Sequence, residues 1–432
     1  MISLDSGQRS MKSVSRKTAT SFIQTSGIPY LLIIGVGALL ARWAPYLRDD
    51  FTFKGQPPYV LISFVFFGIS LIAFFLFKPQ NRAGKNLRLL IATVALYWIA
   101  QFILIGLYHG DNRDYTSFLV PLLLIMMWFK PPSSQDTWSV MVLLGMLLLI
   151  ILTVTYILEV ASLTNPMPTP GYLNDWESGQ YWLPLDGFLG LDGRWVGPFG
   201  HNTRTAMAAT FVTVIGFSRL TAFSWALIPG GVFFILVAGV RAGFLSTLAA
   251  LAVLILFSNI GLVKKIPLWT KIALLLVGVA GGALLLLRSG AGLTGRGTIW
   301  RAFLDLFPQE PLIGVGQTGI NAGGEITQRF VDAHNLLLDP LIRYGIVGLS
   351  IFLIILSVMF YQSLRVASLG SAGSLAILTA YVVASMTDIQ NDWIHLSYQL
   401  VFVLFATFAA ASAIDEHQRR SASKQTLVRA AT

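Results

Sequence analysis

The chain has 432 residues, 55% of them hydrophobic and only 12% charged, with a formal net charge of +10. Apolar runs of about 20 residues, the helix length that crosses a hydrocarbon core of roughly 30 Å, recur along it, so lipid is the solvent for most side chains and a soluble fold is excluded. The absence of cysteine removes disulfides, thiolate metal sites and a cysteine nucleophile.

The first twenty residues are polar and basic, with no small-residue cleavage site behind a short apolar stretch, and read as a retained tail. Twelve apolar runs then predict twelve transmembrane helices, near residues 22–44, 57–77, 88–108, 116–129, 137–158, 203–218, 222–239, 242–259, 267–287, 336–361, 371–387 and 395–413. The fourth, sixth, seventh and eighth are short or joined by tight turns. The runs are unbroken and lack the two-residue alternation of lipid-facing strands, which indicates helices and not a barrel. No strong repeat, low-complexity segment or appended soluble domain interrupts them. The expected fold class is therefore an all-α polytopic membrane protein forming one integral membrane domain over residues 1–432.

Lys and Arg set the orientation. With both termini in the cytoplasm, that side receives 18 of the 30 basic residues, among them Lys78, Arg82, Lys85, Arg88, Lys130, Arg219, Lys264, Lys265, Arg365, Arg419 and Arg420. This is the positive-inside bias. The pI near 9.8 then reflects lipid head groups and insertion, not nucleic acid.

Two outer loops are much longer than the rest, at residues 159–202 and 288–335. Long loops in a compact bundle are usually functional or disordered, and the Trp, Tyr, Phe and Leu interleaved in these two argue against disorder. Within the second, Gly297 to Leu306 predicts a short amphipathic helix at the interface.

Cationic side chains concentrate on this outer side. Arg296 lies between two glycines in TGRGTIW just ahead of a helix start, where close backbone approach and a helix N-terminus suit phosphate. Arg241, in AGVRAGF, sits at the outward junction of the seventh and eighth helices, and Arg194 lies in DGRWVGPFGHN. A guanidinium fork matches diphosphate. Each Arg can equally snorkel to the interface or pair with a loop acid such as Asp192 or Asp305. His334 opens the tenth helix; its imidazole can accept a proton near neutral pH with Asp332 to orient it, or His334 and Asn335 can simply cap that helix. His201, beside the Arg194 segment, is a candidate for substrate binding; His109, His395 and His417 are less promising.

No DxD pair occurs on the outer face. Asp388 and Asp392 stand one helical turn apart in MTDIQNDW, a spacing that can hold a cation but more often belongs to solvated or Arg-paired acids. Arginines can neutralise a diphosphate leaving group in place of a metal, so no metal or other cofactor is expected.

The stretch RGTIWRAFLDLFPQEPLIGVGQTG, followed by DAHNLLLDPLIRYGIVGL, resembles the signature of the O-antigen ligase and polymerase superfamily: an Arg and a Trp, then PLxGxGxxG, then a His-Asn pair and a Gly-x-x-Gly helix. GRWVGPFGHNTRTA and VAGVRAGF resemble the family's other Arg-bearing segments, and the likeness covers roughly residues 190–350. One departure is Arg343, near which family members often carry an acid.

The resemblance implies a metal-independent, inverting glycosyltransferase of the GT-C type in the bacterial inner membrane. It implies transfer of a polysaccharide from undecaprenyl diphosphate to a sugar hydroxyl of the lipid A core on the periplasmic face, in lipopolysaccharide biosynthesis. It also implies His334 as base, Arg296 and Arg241 as diphosphate ligands and Arg194 as a ligand of diphosphate or acceptor phosphate; Trp300 in the motif, Asp332 beside His334 and His201 beside the Arg194 segment are candidates for support. Expected partners are the lipid-linked glycan, the lipid A core oligosaccharide and membrane lipids. An O-antigen polymerase and a protein O-oligosaccharyltransferase share the signature and differ in acceptor. A transporter that binds a lipid-linked glycan through the same arginines is the more distant alternative, disfavoured by the lack of an internal repeat.

Overall fold

The computed structural model describes residues 28–43, 58–76, 83–104, 119–161, 195, 197–199, 202–258, 261–275, 277, 296–324, 326–327, 333, 335–388 and 397–431. The described residues are helical or in turns, with no strand. In chain order the helices are α1 (Ile28–Trp43), α2 (Pro58–Leu76), α3 (Lys85–Ile103), α4 (Leu119–Phe129), α5 (Ser134–Val160), α6 (Asn202–Ser218), α7 (Ser224–Ala238), α8 (Arg241–Leu256), α9 (Gly261–Lys265), α10 (Arg296–Leu304), α11 (Gly316–Ala322), α12 (Leu338–Ser368), α13 (Gly373–Asp388) and α14 (Tyr398–Ala431). Each apolar run read from the sequence coincides with a helix, the ninth over its described residues 268–275 and 277. Among the described residues, four helical segments are long and apolar enough to cross a membrane: Lys85–Ile103, Ser134–Leu158, Leu338–Ser368 and Tyr398–Thr426.

The last of these is the axis of the bundle. α14 packs against α1, α3, α5, α12 and α13. Phe402, Phe405 and Phe408 are fully buried in its apolar half, interleaved with buried Ala406, Ala409, Ala410 and Ala411. Small residues let neighbouring backbones come close, the main source of helix association where lipid offers no hydrophobic drive. Outward faces stay apolar, as with Ile69, Ile72, Phe75 and Leu76 of α2, which suits contact with lipid chains.

The two ends of the bundle differ in chemistry. At one end, two acids of α14 cap two other helices. Asp415 accepts the N–H groups of Asn86 and Leu87 at 3.1 Å each, and Glu416 accepts the N–H of Ser134 at 3.1 Å. Gln362 of α12 donates to the Asn86 carbonyl at 2.9 Å, and Arg219 lies 5.1 Å from the Trp138 ring centroid. Burial lowers the Arg219 guanidinium from its ordinary value. Lys85, Arg88, Lys130, Arg219, Arg365, Arg419 and Arg420 thus belong to one end, the grouping that the basic-residue bias required.

Several helix bounds differ from the sequence reading. The expected single helix over 336–361 is interrupted at Gly345 (φ 64°, ψ −165°) and continues to Ser368. The last helix does not stop near residue 413 but runs on to Ala431, carrying its charged half beyond the apolar bundle. The interfacial helix expected over Gly297 to Leu306 occupies Arg296–Leu304.

Candidate active site at the second end of the bundle

The opposite end gathers the starts of α6, α8, α12 and α14 with the ends of α7 and α13. Tyr398, the first residue of α14, donates its hydroxyl to the Arg204 carbonyl of α6 at 2.8 Å and stacks on Phe199 at 4.8 Å. Leu336 donates its N–H to the Ser385 carbonyl of α13 at 2.8 Å. α8 lies against both α6 and α13. Arg241 is the first residue of α8 and is half-buried. It follows Gly239, whose left-handed φ of 60° turns the chain out of α7, and Val240 in extended conformation. Ala206, Ala238, Val240 and Ala242 pack together around this turn, and Gly243 admits the Ala206 methyl group of α6.

The second long outer stretch builds a small core of its own. Ile299 and Phe303 of α10, Leu306, Val315, Ile320 of α11, Ala333 and Ile342 of α12 are all buried together. α10 is therefore seated on the start of α12 through its apolar face, and Arg296 opens that helix. Trp300 follows four residues later in the same helix. Among the described residues, its indole N–H is buried without a hydrogen-bond partner, as is one carboxylate oxygen of Glu310.

The PLIGVG segment and the interruption of α12 interlock. In an unbroken helix Ile346 and Val347 donate to Ile342 and Arg343. Here they donate to the carbonyls of Pro311 at 2.9 Å and Leu312 at 3.1 Å, while the freed Ile342 carbonyl accepts from Val315 at 2.9 Å. Only glycine suits both meeting points: a Cβ on Gly314 would overlap the Arg343–Tyr344 peptide, and one on Gly345 would overlap the Leu312 carbonyl. Two glycine motifs that lie thirty residues apart in sequence are thus halves of one joint.

Arg194, His201, Asp332 and His334 lie outside the described residues, as do Asp192, Asp392 and most of the stretch 159–202. Their described neighbours belong to this end. Trp195, after Arg194, donates its N–H to the Val237 carbonyl of α7 at 3.3 Å and packs its ring against Tyr156 and Phe234. Asn202, after His201, begins α6 and is buried. Ala333 and Asn335 flank His334: Ala333 is fully buried, and Asn335 accepts the N–H groups of Leu337 and Leu338 at 3.0 and 3.1 Å while donating to the Met386 carbonyl at 3.0 Å. The capping offered by the sequence for the His334–Asn335 pair is thus done by the Asn335 side chain.

Arg343, the departure noted in the sequence, donates Nε to both oxygens of Asp339 at 3.0 Å and is bonded to the Gln317 side-chain oxygen of α11. Asp339 was not singled out by sequence reasoning, although an Asp–Arg pair at i and i+4 on a helix was the available signal. Among the described residues no group of three His, Asp or Glu side chains is placed to hold a metal ion. Compared with known families and curated proteins, the chain matches no family model and no curated sequence.

Proposed function

We propose that this protein is a polytopic GT-C-type glycosyltransferase of the O-antigen ligase and polymerase superfamily, crossing the bacterial inner membrane about twelve times with this end facing the periplasm. In this reading it transfers a polysaccharide from undecaprenyl diphosphate to a sugar hydroxyl of the lipid A core. The observation that carries it is the joint between PLIGVG and the broken α12, which seats the Arg296 helix and Ala333, the residue before His334, on one small core. α13 then ties that core to α8, whose first residue is Arg241.

The chemistry needs few parts. The acceptor oxygen attacks the anomeric carbon from the face opposite the diphosphate, and the carbon–oxygen bond to the diphosphate breaks with inversion. His334 takes the hydroxyl proton. The electron pair leaves with undecaprenyl diphosphate, whose growing charge Arg296 and Arg241 stabilise, with Arg194 on the diphosphate or the acceptor's phosphates. Both substrates are lipid anchored and reach the site from within the bilayer.

A transporter reading draws on one feature, the discontinuous α12, since transporters place ion sites at broken helices. Here the N–H groups of Ile346 and Val347 and the Ile342 carbonyl are taken by the PLIGVG segment, and this favours a rigid platform over an ion site.

The test is reconstitution of the purified chain in lipid nanodiscs with a defined undecaprenyl diphosphate glycan and two acceptors, lipid A core and a second lipid-linked repeat. A single step in product size on lipid A core is expected, abolished in His334→Ala. Growth by successive repeats would make it a polymerase, and no transfer to either acceptor would count against the enzyme reading.

A further inference from the structure

Arg219 leads the chain out of α6 at the basic end of the bundle and is half-buried. Its backbone is locked: the N–H donates to the Ile215 carbonyl at 3.1 Å, and the carbonyl accepts the Ser224 hydroxyl at 2.8 Å. The same Ser224 oxygen accepts the Thr221 N–H at 2.8 Å, which folds residues 219–224 back on themselves. The guanidinium is placed as well, 5.1 Å from the ring centroid of the buried Trp138 of α5. That ring is wedged where three helices meet, since a Cβ on Gly373, the first residue of α13, would overlap both it and the Ser218 side chain.

What Arg219 lacks is an acid. An indole face balances part of a cation's charge but leaves the five N–H donors of the guanidinium unanswered. Among the described residues Arg219 makes no ion pair and no side-chain hydrogen bond. The described acids of this end serve elsewhere: Asp415 and Glu416 cap α3 and α5, and Asp136, two residues before Trp138, lies on roughly the opposite face of α5. Burial with no carboxylate to offset it is what lowers the guanidinium from its ordinary value.

The surroundings say which anion fits. Leu220 is 80% exposed and Trp225 88%, with Phe223 exposed between them. Leu, Phe and Trp left bare beside an arginine at the end of an apolar bundle make up a membrane interface, where indoles lie at headgroup depth. A water-soluble phosphate gains nothing from that apolar surface, whereas a lipid phosphate brings acyl chains that cover it.

We infer that Arg219 and Trp138 form a phospholipid site that takes the phosphate diester of an anionic headgroup, with the acyl chains on Leu220, Phe223 and Trp225. The guanidinium fork donates to two phosphate oxygens. The site stands whatever the opposite end transfers.

The full-length protein in detergent micelles tests this by native mass spectrometry, with phosphatidylglycerol as the probe. Wild type is expected to retain it in preference to phosphatidylcholine, whose choline balances the phosphate charge, and a photoreactive acyl chain on the probe should label residues 217–225. Arg219→Gln should weaken binding about fivefold, the worth of one interfacial cation. Arg365→Gln, which removes another half-buried cation of the same end, should leave it nearly unchanged. Arg219→Lys keeps the charge without the fork and should fall between wild type and glutamine; where the glutamine variant does not fold, the lysine variant carries the test. Wild-type binding in the variant that carries the test would overturn the site. So would equal weakening by Arg365→Gln, which would mean a diffuse positive field, or displacement of the lipid by millimolar inorganic phosphate, which would mean a soluble ligand.

Discussion

Val315 donates its N–H to the Ile342 carbonyl at 2.9 Å, occupying the acceptor that Ile346 would use if α12 were continuous. The interruption is therefore a substitution of backbone partners and not a loss of them. In an apolar environment an unsatisfied backbone group costs several kcal/mol, so the loop and the broken helix depend on each other. Gly345 is the hinge of the exchange, at φ 64° and ψ −165°, a region open almost only to glycine. Gly345→Ala is expected to cost about 1–3 kcal/mol in backbone strain, with overlap at Leu312 in addition, and to abolish transfer. Thermal unfolding and transfer assays check it; a variant with wild-type stability would mean that this joint is not a determinant of the fold.

Gly297 makes the contrasting case. It sits in the first turn of α10 next to Arg296, and a Cβ there would meet nothing within 4 Å among the described residues. Gly297→Ala is expected to leave stability unchanged or raise it by up to about 1 kcal/mol through helix propensity. If the glycine serves close approach of diphosphate to the α10 N-terminus, the donor KM should rise severalfold while the acceptor KM stays put. An unchanged donor KM would remove that role.

The far end of the bundle carries stability without chemistry. Asp415 takes the Asn86 and Leu87 N–H groups and the Asn86 side-chain amide, and is only 5% exposed. Asp415→Ala leaves buried donors at the start of α3 unpaired, at a cost of about 1–3 kcal/mol. Asp415→Asn should be nearly as harmful, because whichever way the amide turns its NH2 group faces a donor. Transfer activity per folded molecule should not move. Denaturation midpoints with activity normalised to folded protein check both halves of the expectation.

Some of this architecture was legible in the sequence and some was not, for physical reasons. Runs of twenty apolar residues announce their helices because lipid demands apolar side chains at every turn, and the basic residues that the sequence groups together lie at one end of the bundle. The glycines of PLIGVG were readable as a motif, yet their use was not: neither the left-handed φ of Gly345 nor its encounter with Leu312 follows from spacing along the chain. The capping roles of Asp415 and Glu416 have no local signal, because their partners lie some 280 to 330 residues away. Arg343 read as a mere departure from a pattern, whereas its pairing with Asp339 makes it part of the site's scaffold.

The chain's lack of cysteine makes its topology testable without background labelling. Ala322 closes α11 and Ser421 lies in the charged half of α14; both are exposed. If the basic end faces the cytoplasm, Ala322→Cys is expected to react fully in intact cells with a thiol reagent that cannot cross the inner membrane, and Ser421→Cys only after the membrane is opened. Equal labelling of both in intact cells would contradict the orientation derived from the basic residues.

Arg241 tests the electrostatic part of the mechanism, because backbone and small-residue contacts also hold its helix. α8 starts after a glycine turn, packs Gly243 on Ala206, and hydrogen-bonds Thr210 of α6 to Thr247 at 3.0 Å. None of these contacts needs the guanidinium. The stability cost of Arg241→Ala is read from the denaturation midpoint and separated from its effect on the rate by normalising activity to folded protein. If the guanidinium meets the departing diphosphate, kcat should fall about 100-fold or more, the size of effect seen when one donor to a growing anion is removed. Arg241→Lys keeps the charge but not the paired donors and should recover only part of the loss. An Arg241→Ala protein that transfers glycan at the normal rate, or one that unfolds before its rate can be measured, would return Arg241 to an interfacial or structural role.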